Sequence, residues 1–119
     1  GVPWQVQQAF AALSELACDV PMRAHFHDSR NTGIGNAYAS LLAGVATLDA
    51  SIGGIGGCPF APNASGNIAM EDLVYMLNRS EVGHDLSMQP LLAAAAWLEP
   101  ILGKRLPSML LKAGDWPAN

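Results

Sequence analysis

The sequence predicts an α/β fold in which two parallel strands form part of a larger sheet or barrel. Its apolar patterns run in the order strand, helix, strand, helix, which is typical of right-handed βαβ units. Only two strands are convincing, and a parallel sheet of two strands is not stable alone. In addition, 50% of the residues are hydrophobic and only 13% are charged. Because so little polar surface is available, we expect further chain or another subunit to cover an apolar face, so that the chain is not monomeric.

The first half of the chain contains both predicted strands. Pro3 opens an amphipathic helix that runs to about Ala17, because apolar residues recur there at spacings of three and four. Residues 22–27 are predicted to form a short, buried strand, which a polar turn follows. A second helix over residues 34–43 ends before a glycine, and residues 45–52 form the second strand.

The second half is predicted to be helical after a glycine-rich loop. Helices are expected over residues 68–79, 88–102 and 107–113, and a glycine follows each of the last two. We expect the three tryptophans to be packing residues: Trp4, Trp97 and Trp116.

Charge and length exclude several classes of function. The chain has 119 residues, a net charge of −4 and no basic cluster, which argues against binding nucleic acid. No apolar stretch reaches the roughly 18–20 uncharged residues of a membrane span, and no signal sequence is visible, so we expect a soluble intracellular protein without a membrane partner. The two cysteines, Cys18 and Cys58, lie in dissimilar settings and are expected to be reduced thiols.

Two histidines mark the end of the first predicted strand. His25 and His27 are two residues apart, so a strand would direct both imidazoles to the same face. An isolated pair of this kind is more often a structural feature than a metal site. Functional residues of parallel α/β folds gather at the carboxyl ends of strands, however, and this position favours a metal.

Asn67 and Asp28 each have two possible roles. Asn67 precedes an apolar-periodic helix, so it is either the helix N-cap, which the pattern alone favours, or an oxygen ligand. Asp28 would point to the opposite face of an ideal strand and is a weaker ligand candidate, so we favour a turn-former or an outer partner that orients an imidazole N–H. Two imidazoles, an amide oxygen and a carboxylate would suit Mg²⁺ or Mn²⁺ with open positions better than a closed zinc site.

The glycine-rich loop carries the remaining candidates. Gly53, Gly54, Gly56 and Gly57 match neither a dinucleotide fingerprint nor a P-loop, and we interpret them as a hinge for loop closure. By default Cys58 would be a small buried residue. Its glycine and proline neighbours instead indicate an exposed thiol that can exchange a proton.

Taken together, these segments resemble hydroxymethylglutaryl-CoA lyase, of the metal-dependent lyase and aldolase superfamily built on TIM barrels. The resemblance covers nearly the whole chain and is most specific in HFHD at 25–28, GGIGGCP at 53–59 and SGN at 65–67. It implies that residues 1–119 are the C-terminal segment of one TIM-barrel lyase domain. An Arg-Asp pair that the family carries on its first strand is absent from this sequence.

The resemblance also implies an activity. His25, His27 and Asn67 would bind a divalent cation, Mg²⁺ or Mn²⁺, and Cys58 would be the catalytic thiol. The reaction would cleave 3-hydroxy-3-methylglutaryl-CoA to acetyl-CoA and acetoacetate, in a bacterial cytoplasm or, in a eukaryote, in the mitochondrial matrix. Two alternatives are an inactive, self-associating fragment and a related acyl-CoA lyase or synthase with another substrate.

Overall fold

The computed structural model of this chain describes residues 1–17, 19–57 and 65–116, and its elements confirm the predicted α/β order. In chain order they are α1 (Pro3–Leu16), β1 (Arg23–His25), α2 (Gly33–Leu42), β2 (Thr47–Asp49), a 3-10 turn (Ile52–Gly54), α3 (Met70–Arg79), α4 (Met88–Leu102) and α5 (Met109–Ala113). β1 and β2 pair in parallel, with His25 opposite Asp49 in register. The fold therefore places the His25 imidazole, at the carboxyl end of β1, beside the Asp49 carboxylate, at the carboxyl end of β2.

Both strands are shorter than predicted because a third segment, residues 65–69, takes over their hydrogen bonds. The Ile68 N–H donates to the Phe26 carbonyl at 3.1 Å, and the Ser51 N–H donates to the Ile68 carbonyl at 3.2 Å. The same segment pairs Asn67 with His27 in an isolated antiparallel bridge. Segment 65–69 thus crosses the ends of β1 and β2, and brings a residue distant in sequence to the histidines.

The core lies around α3 and the segment that precedes it. One cluster joins Ile68, Leu73 and Leu77 to Ala37 of α2, and a second joins α3 to α4 and α5 through Val74, Met88 and Leu110. All these side chains are at most 8% exposed, which is the main source of stability expected for the described region. The first turn of α3 is consequently held in place from several sides.

The outer helices are far less covered. α1 has no buried residue, and large apolar side chains remain exposed on α1 and α4. The tryptophans, predicted to be packing residues, are not covered by the described part of this chain: Trp4, Trp97 and Trp116 are 58%, 66% and 62% exposed. Such faces occur where a further layer of protein belongs. Among the described helices, none has the length and apolarity needed to cross a membrane.

Candidate functional site

His27 is oriented by a backbone carbonyl. Its Nδ1 lies 3.2 Å from the Ser65 carbonyl oxygen, which can only accept a hydrogen bond, so Nδ1 carries the proton. The other nitrogen, Nε2, then keeps its lone pair. This is the arrangement by which proteins prepare an imidazole to bind a metal, because an outer partner fixes both the tautomer and the ring orientation.

A carboxylate lies near His25. Its Nδ1 lies 4.0 Å from Oδ2 of Asp49, and the other oxygen of Asp49 lies 3.4 Å from Nε of Arg23. The His25 and His27 ring centroids are 5.2 Å apart, at an interplanar angle of 66°. The two imidazoles are therefore neighbours, and in each ring the Nδ1 side faces an outer partner, which leaves Nε2 for a ligand.

Asn67 is not a helix cap. The capping alternative is wrong, because α3 begins at Met70, two residues after Ile68, and its N-cap is Ala69. Asn67 instead uses its Nδ2 to donate a hydrogen bond to the Ile55 carbonyl at 3.1 Å. Its Oδ1 is thus the atom left to act as an oxygen ligand, on a residue whose backbone pairs with His27.

Asp28 forms a turn. Its Oδ1 accepts a hydrogen bond from the Gly33 N–H at 2.7 Å, at the start of α2. Of the two roles that the sequence left open, this contact corresponds to the turn-former. The outer partners of the imidazoles in the described region are the Ser65 carbonyl and the Asp49 carboxylate.

The start of the glycine-rich loop is closely packed. Gly53, Gly54 and Gly56 have positive φ angles of 63°, 72° and 106°, a region that glycine enters without strain. A Cβ on Gly53 would collide with Leu106, and one on Gly56 would lie 2.8 Å from Nδ2 of Asn67. These three glycines therefore allow a tight turn and a close approach of neighbouring groups. Of the four predicted hinge positions, only Gly57 has open surroundings among the described residues. Loop closure itself stays a prediction.

Cys58 lies outside the described residues, as does Cys18. Before the thiol, the loop is held to Asn67, because the Ile55 carbonyl accepts a hydrogen bond from Nδ2 of Asn67 at 3.1 Å. The loop thus passes Asn67 three residues before the thiol, and the convergence of Cys58 with the imidazoles stays a prediction.

A cavity of about 410 Å³ opens beside the two imidazoles, a size that suits a small ligand. Arg30, Thr32 and Asn36 also line it. A larger cavity of about 870 Å³ lies between α2, α3 and α5 and contains neither imidazole. We assign the site to the smaller cavity because both imidazoles line it, and volume alone carries no chemistry.

Known proteins are similar to this chain in sequence and in fold. The HMGL-like family model matches residues 2–98. This chain belongs to the HMGL-like family. It is 45% identical over 95% of its length to (R)-citramalyl-CoA lyase of Chloroflexus aurantiacus, and 42% identical over 92% to a hydroxymethylglutaryl-CoA lyase of Bacillus subtilis.

The fold agrees with the family. All of the chain superposes on an HMG-CoA lyase from Acinetobacter baumannii, solved with coenzyme A and 3-methylmalate, with a TM-score of 0.90 and 36% identity. The chain spans 36%, 37% and 40% of the length of these three proteins, respectively. Its two parallel strands and flanking helices thus correspond to part of a TIM barrel, as predicted.

HMGL-like lyases generally depend on a divalent metal, and the donors present here fit such an ion. Two imidazole nitrogens and one amide oxygen form a mixed set that leaves further positions open, which suits Mg²⁺ or Mn²⁺. The described residues contain no group of three or more His, Cys, Asp and Glu side chains placed to hold a metal. The role of Asn67 as a third donor stays a prediction.

Sequence reasoning missed Asp49 and underrated Glu71. Asp49 ends the second strand, and only the parallel register shows that it faces His25. The sequence places Glu71 in the first turn of a predicted helix, where a negative charge is favourable in any case. In the structure Glu71 is fully buried, and both its oxygens lie 3.0 Å from the Gly53 nitrogen. Burial raises the pKa of the Glu71 carboxyl above its ordinary value of 4.5, while hydrogen bonds from backbone N–H groups act in the opposite direction.

Proposed function

We propose that this chain is the C-terminal segment of a divalent-metal-dependent lyase that cleaves 3-hydroxy-3-methylglutaryl-CoA to acetyl-CoA and acetoacetate. The observation that carries the proposal is the pairing of two imidazoles, each with Nδ1 facing an outer partner, beside an asparagine whose amide oxygen is left for a ligand. The names of the relatives support a CoA thioester as substrate.

Each candidate residue has a distinct task in this proposal. His25, His27 and Asn67 hold the cation, and a bound Mg²⁺ or Mn²⁺ would favour loss of the proton from the substrate's 3-hydroxyl. Cleavage of the C2–C3 bond turns C3 into the ketone of acetoacetate and leaves the electron pair on C2 as a thioester enolate. Cys58 donates the proton that converts this enolate into acetyl-CoA, and the proton released from the 3-hydroxyl balances the one that returns the Cys58 thiolate to the thiol.

A related substrate is the second candidate. The relative that is 45% identical is named for citramalyl-CoA, whereas the one that is 42% identical is named for hydroxymethylglutaryl-CoA. A difference of this size does not decide between the two acyl groups. Both are hydroxy acids whose cleavage releases acetyl-CoA, so one assay compares them.

Turnover is tested on the chain alone and on the completed protein, by which we mean the chain co-expressed with the portion of the Bacillus subtilis relative that it does not span. With Mg²⁺ or Mn²⁺, we expect acetyl-CoA release from one of the two thioesters, from the completed protein only. Cys58→Ala should abolish release, and Cys18→Ala, the matched control, should leave it intact. Release from neither thioester by the completed protein would refute the proposal and favour the inactive, self-associating fragment.

Mn²⁺ binding is tested separately from turnover. We expect His25→Ala and His27→Ala each to weaken binding by more than the roughly 10–100-fold that loss of an outer partner costs. His84→Ala is the control, because His84 bonds instead to Asn78 and to the Leu86 N–H. Equal loss in the control, or undiminished affinity in the histidine variants, would contradict the assigned ligands.

The exposed outer helices bear on the assembly. Trp4 on α1 and Trp97 on α4 are more than half exposed, so we infer that the remaining lyase chain or another copy covers these faces. Sedimentation velocity of the 119-residue chain should show a species larger than the monomer. The completed protein should lose this self-association where the added chain covers α1.

A further inference from the structure

The most completely buried acidic group of the described region lies at the base of the glycine-rich loop. Glu71 is 0% exposed, and its two oxygens lie at equal distances of 3.0 Å from the Gly53 nitrogen. A buried carboxylate needs strong partners to offset its lost hydration, and hydrogen bonds to a charged acceptor are among the strong ones. The Gly53 N–H is such a partner, and it comes from the first bend of the loop.

The opposite side of this bend is also closed. Leu106, 1% exposed, fills the space where a Gly53 side chain would begin, and Pro107 lies 3.1 Å from the corresponding position at Gly54. The match to the family model ends at residue 98, so this packing lies beyond it. The 3-10 turn is therefore clamped between Glu71 and residues 106–107.

The clamped turn is connected to a candidate metal ligand. Directly after it, the Ile55 carbonyl accepts hydrogen bonds from the Ser51 hydroxyl at 2.6 Å and from Nδ2 of Asn67 at 3.1 Å. The second bond determines which end of the Asn67 amide points away from the loop. A shift of the turn would move the Ile55 carbonyl and release the Asn67 amide.

We propose that Glu71 is a positioning residue that, through the Gly53 N–H and the Ile55 carbonyl, orients the Asn67 amide so that Oδ1 faces the cation. The metal part of this inference rests on the proposed function, whereas the orienting part concerns only contacts within the chain. Glu71 does not touch the ion. Its effect should resemble that of other outer partners of metal ligands, about 10-fold or more in metal affinity.

The experiment compares Glu71→Met, which removes the acceptor at similar volume, with Glu71→Gln, which keeps an oxygen for the Gly53 N–H. Val74→Ala is the control on the same helix, because Val74 is fully buried but packs in the cluster with Met88 and Leu110. NMR of the chain reports hydrogen exchange at Gly53 and the side-chain amide signals of Asn67. Mn²⁺ affinity is measured on the completed protein.

We expect Glu71→Met to speed Gly53 exchange at least about 10-fold, to shift the Asn67 amide signals and to weaken Mn²⁺ binding about 10-fold. Glu71→Gln should restore all three, and Val74→Ala should leave the Asn67 signals and the Mn²⁺ affinity unchanged. A merely structural role would give equal losses in the Val74 control.

The unsubstituted chain gives a test that does not depend on any variant folding. Its Gly53 amide must exchange more slowly than that of Gly57, and equal rates would overturn the proposal. Changed affinity with unchanged Gly53 exchange would overturn it too. If the completed protein binds no Mn²⁺ at all, the proposed function fails, while the NMR comparison still decides whether Glu71 orients Asn67.

Discussion

The two sides of the candidate site are built differently. On the imidazole side, the His25 side chain is 50% exposed and its partner Asp49 is 37% exposed, at an ion-pair distance of 4.0 Å. On the loop side, Glu71 is fully buried and its contact with Gly53 is covered by Leu106. The groups expected to meet a ligand are thus accessible and loosely held, and the groups behind them are enclosed.

This difference separates two kinds of contribution. Exposed charge pairs contribute little to stability because water and salt screen them. Buried, close-packed groups contribute strongly, because removing one contact leaves a cavity or an unpaired polar atom. Substitutions on the imidazole side should therefore change ligand binding at nearly constant stability, and substitutions at the loop base should change stability first. The three predictions below test this division.

The largest effect is expected for Gly53→Ala. Alanine at this position would have to keep the φ of 63°, and its methyl group would collide with Leu106. Left-handed strain and overpacking should together lower the free energy of unfolding by about 3 kcal/mol. Gly44→Ala is the matched control, because Gly44 has a φ of 86° and open surroundings, and strain alone should cost about 1 kcal/mol. Urea unfolding measures both, and equal losses would show that the loop base is not tightly packed.

A smaller effect, on binding rather than stability, is expected for Asp49→Asn. The change keeps the size of the side chain but removes the charge that faces Nδ1 of His25, so Mn²⁺ affinity of the completed protein should fall about 10-fold. The free energy of unfolding should change by less than about 0.5 kcal/mol, because the pair is exposed. Arg23→Gln, which removes the other partner of Asp49, should leave Mn²⁺ affinity unchanged. If Asp49→Asn instead destabilised the chain without affecting Mn²⁺, the division between the two sides would be wrong.

The sequence predicted those parts of the molecule that depend on local patterns. Helix α4 has the predicted bounds, Met88–Leu102, and Gly103 follows it in a left-handed conformation. The start of α3 was placed two residues too early, because the Ile68 N–H bonds to Phe26 at the end of β1 instead of joining the helix. Tertiary hydrogen bonds overrode the helical pattern there.

Local sequence patterns could not predict contacts between residues that are far apart in the chain. Glu71 and Gly53 are 18 residues apart, and nothing in either local sequence indicates the pairing. The exposure of the tryptophans was likewise unpredictable, since composition reports how much apolar surface exists and not which face remains uncovered. The histidine pair was recognisable because its two members share one short strand end.

The smallest effect is expected from the charge of Glu71, and it appears only as a pH dependence. Because burial raises the folded-state pKa above 4.5, the folded chain binds a proton more tightly than the unfolded chain between these two values. The stability of the natural chain should therefore increase as the pH falls from neutral through the raised pKa, and should gain nothing further from Glu71 below about 4.5. Glu71→Gln carries no charge at any pH. Urea unfolding measures the free energy of unfolding of both proteins. The difference, variant minus natural chain, should be highest near neutral pH and should decrease as the pH falls. A difference that does not depend on pH would mean that water reaches the loop base more than its packing implies.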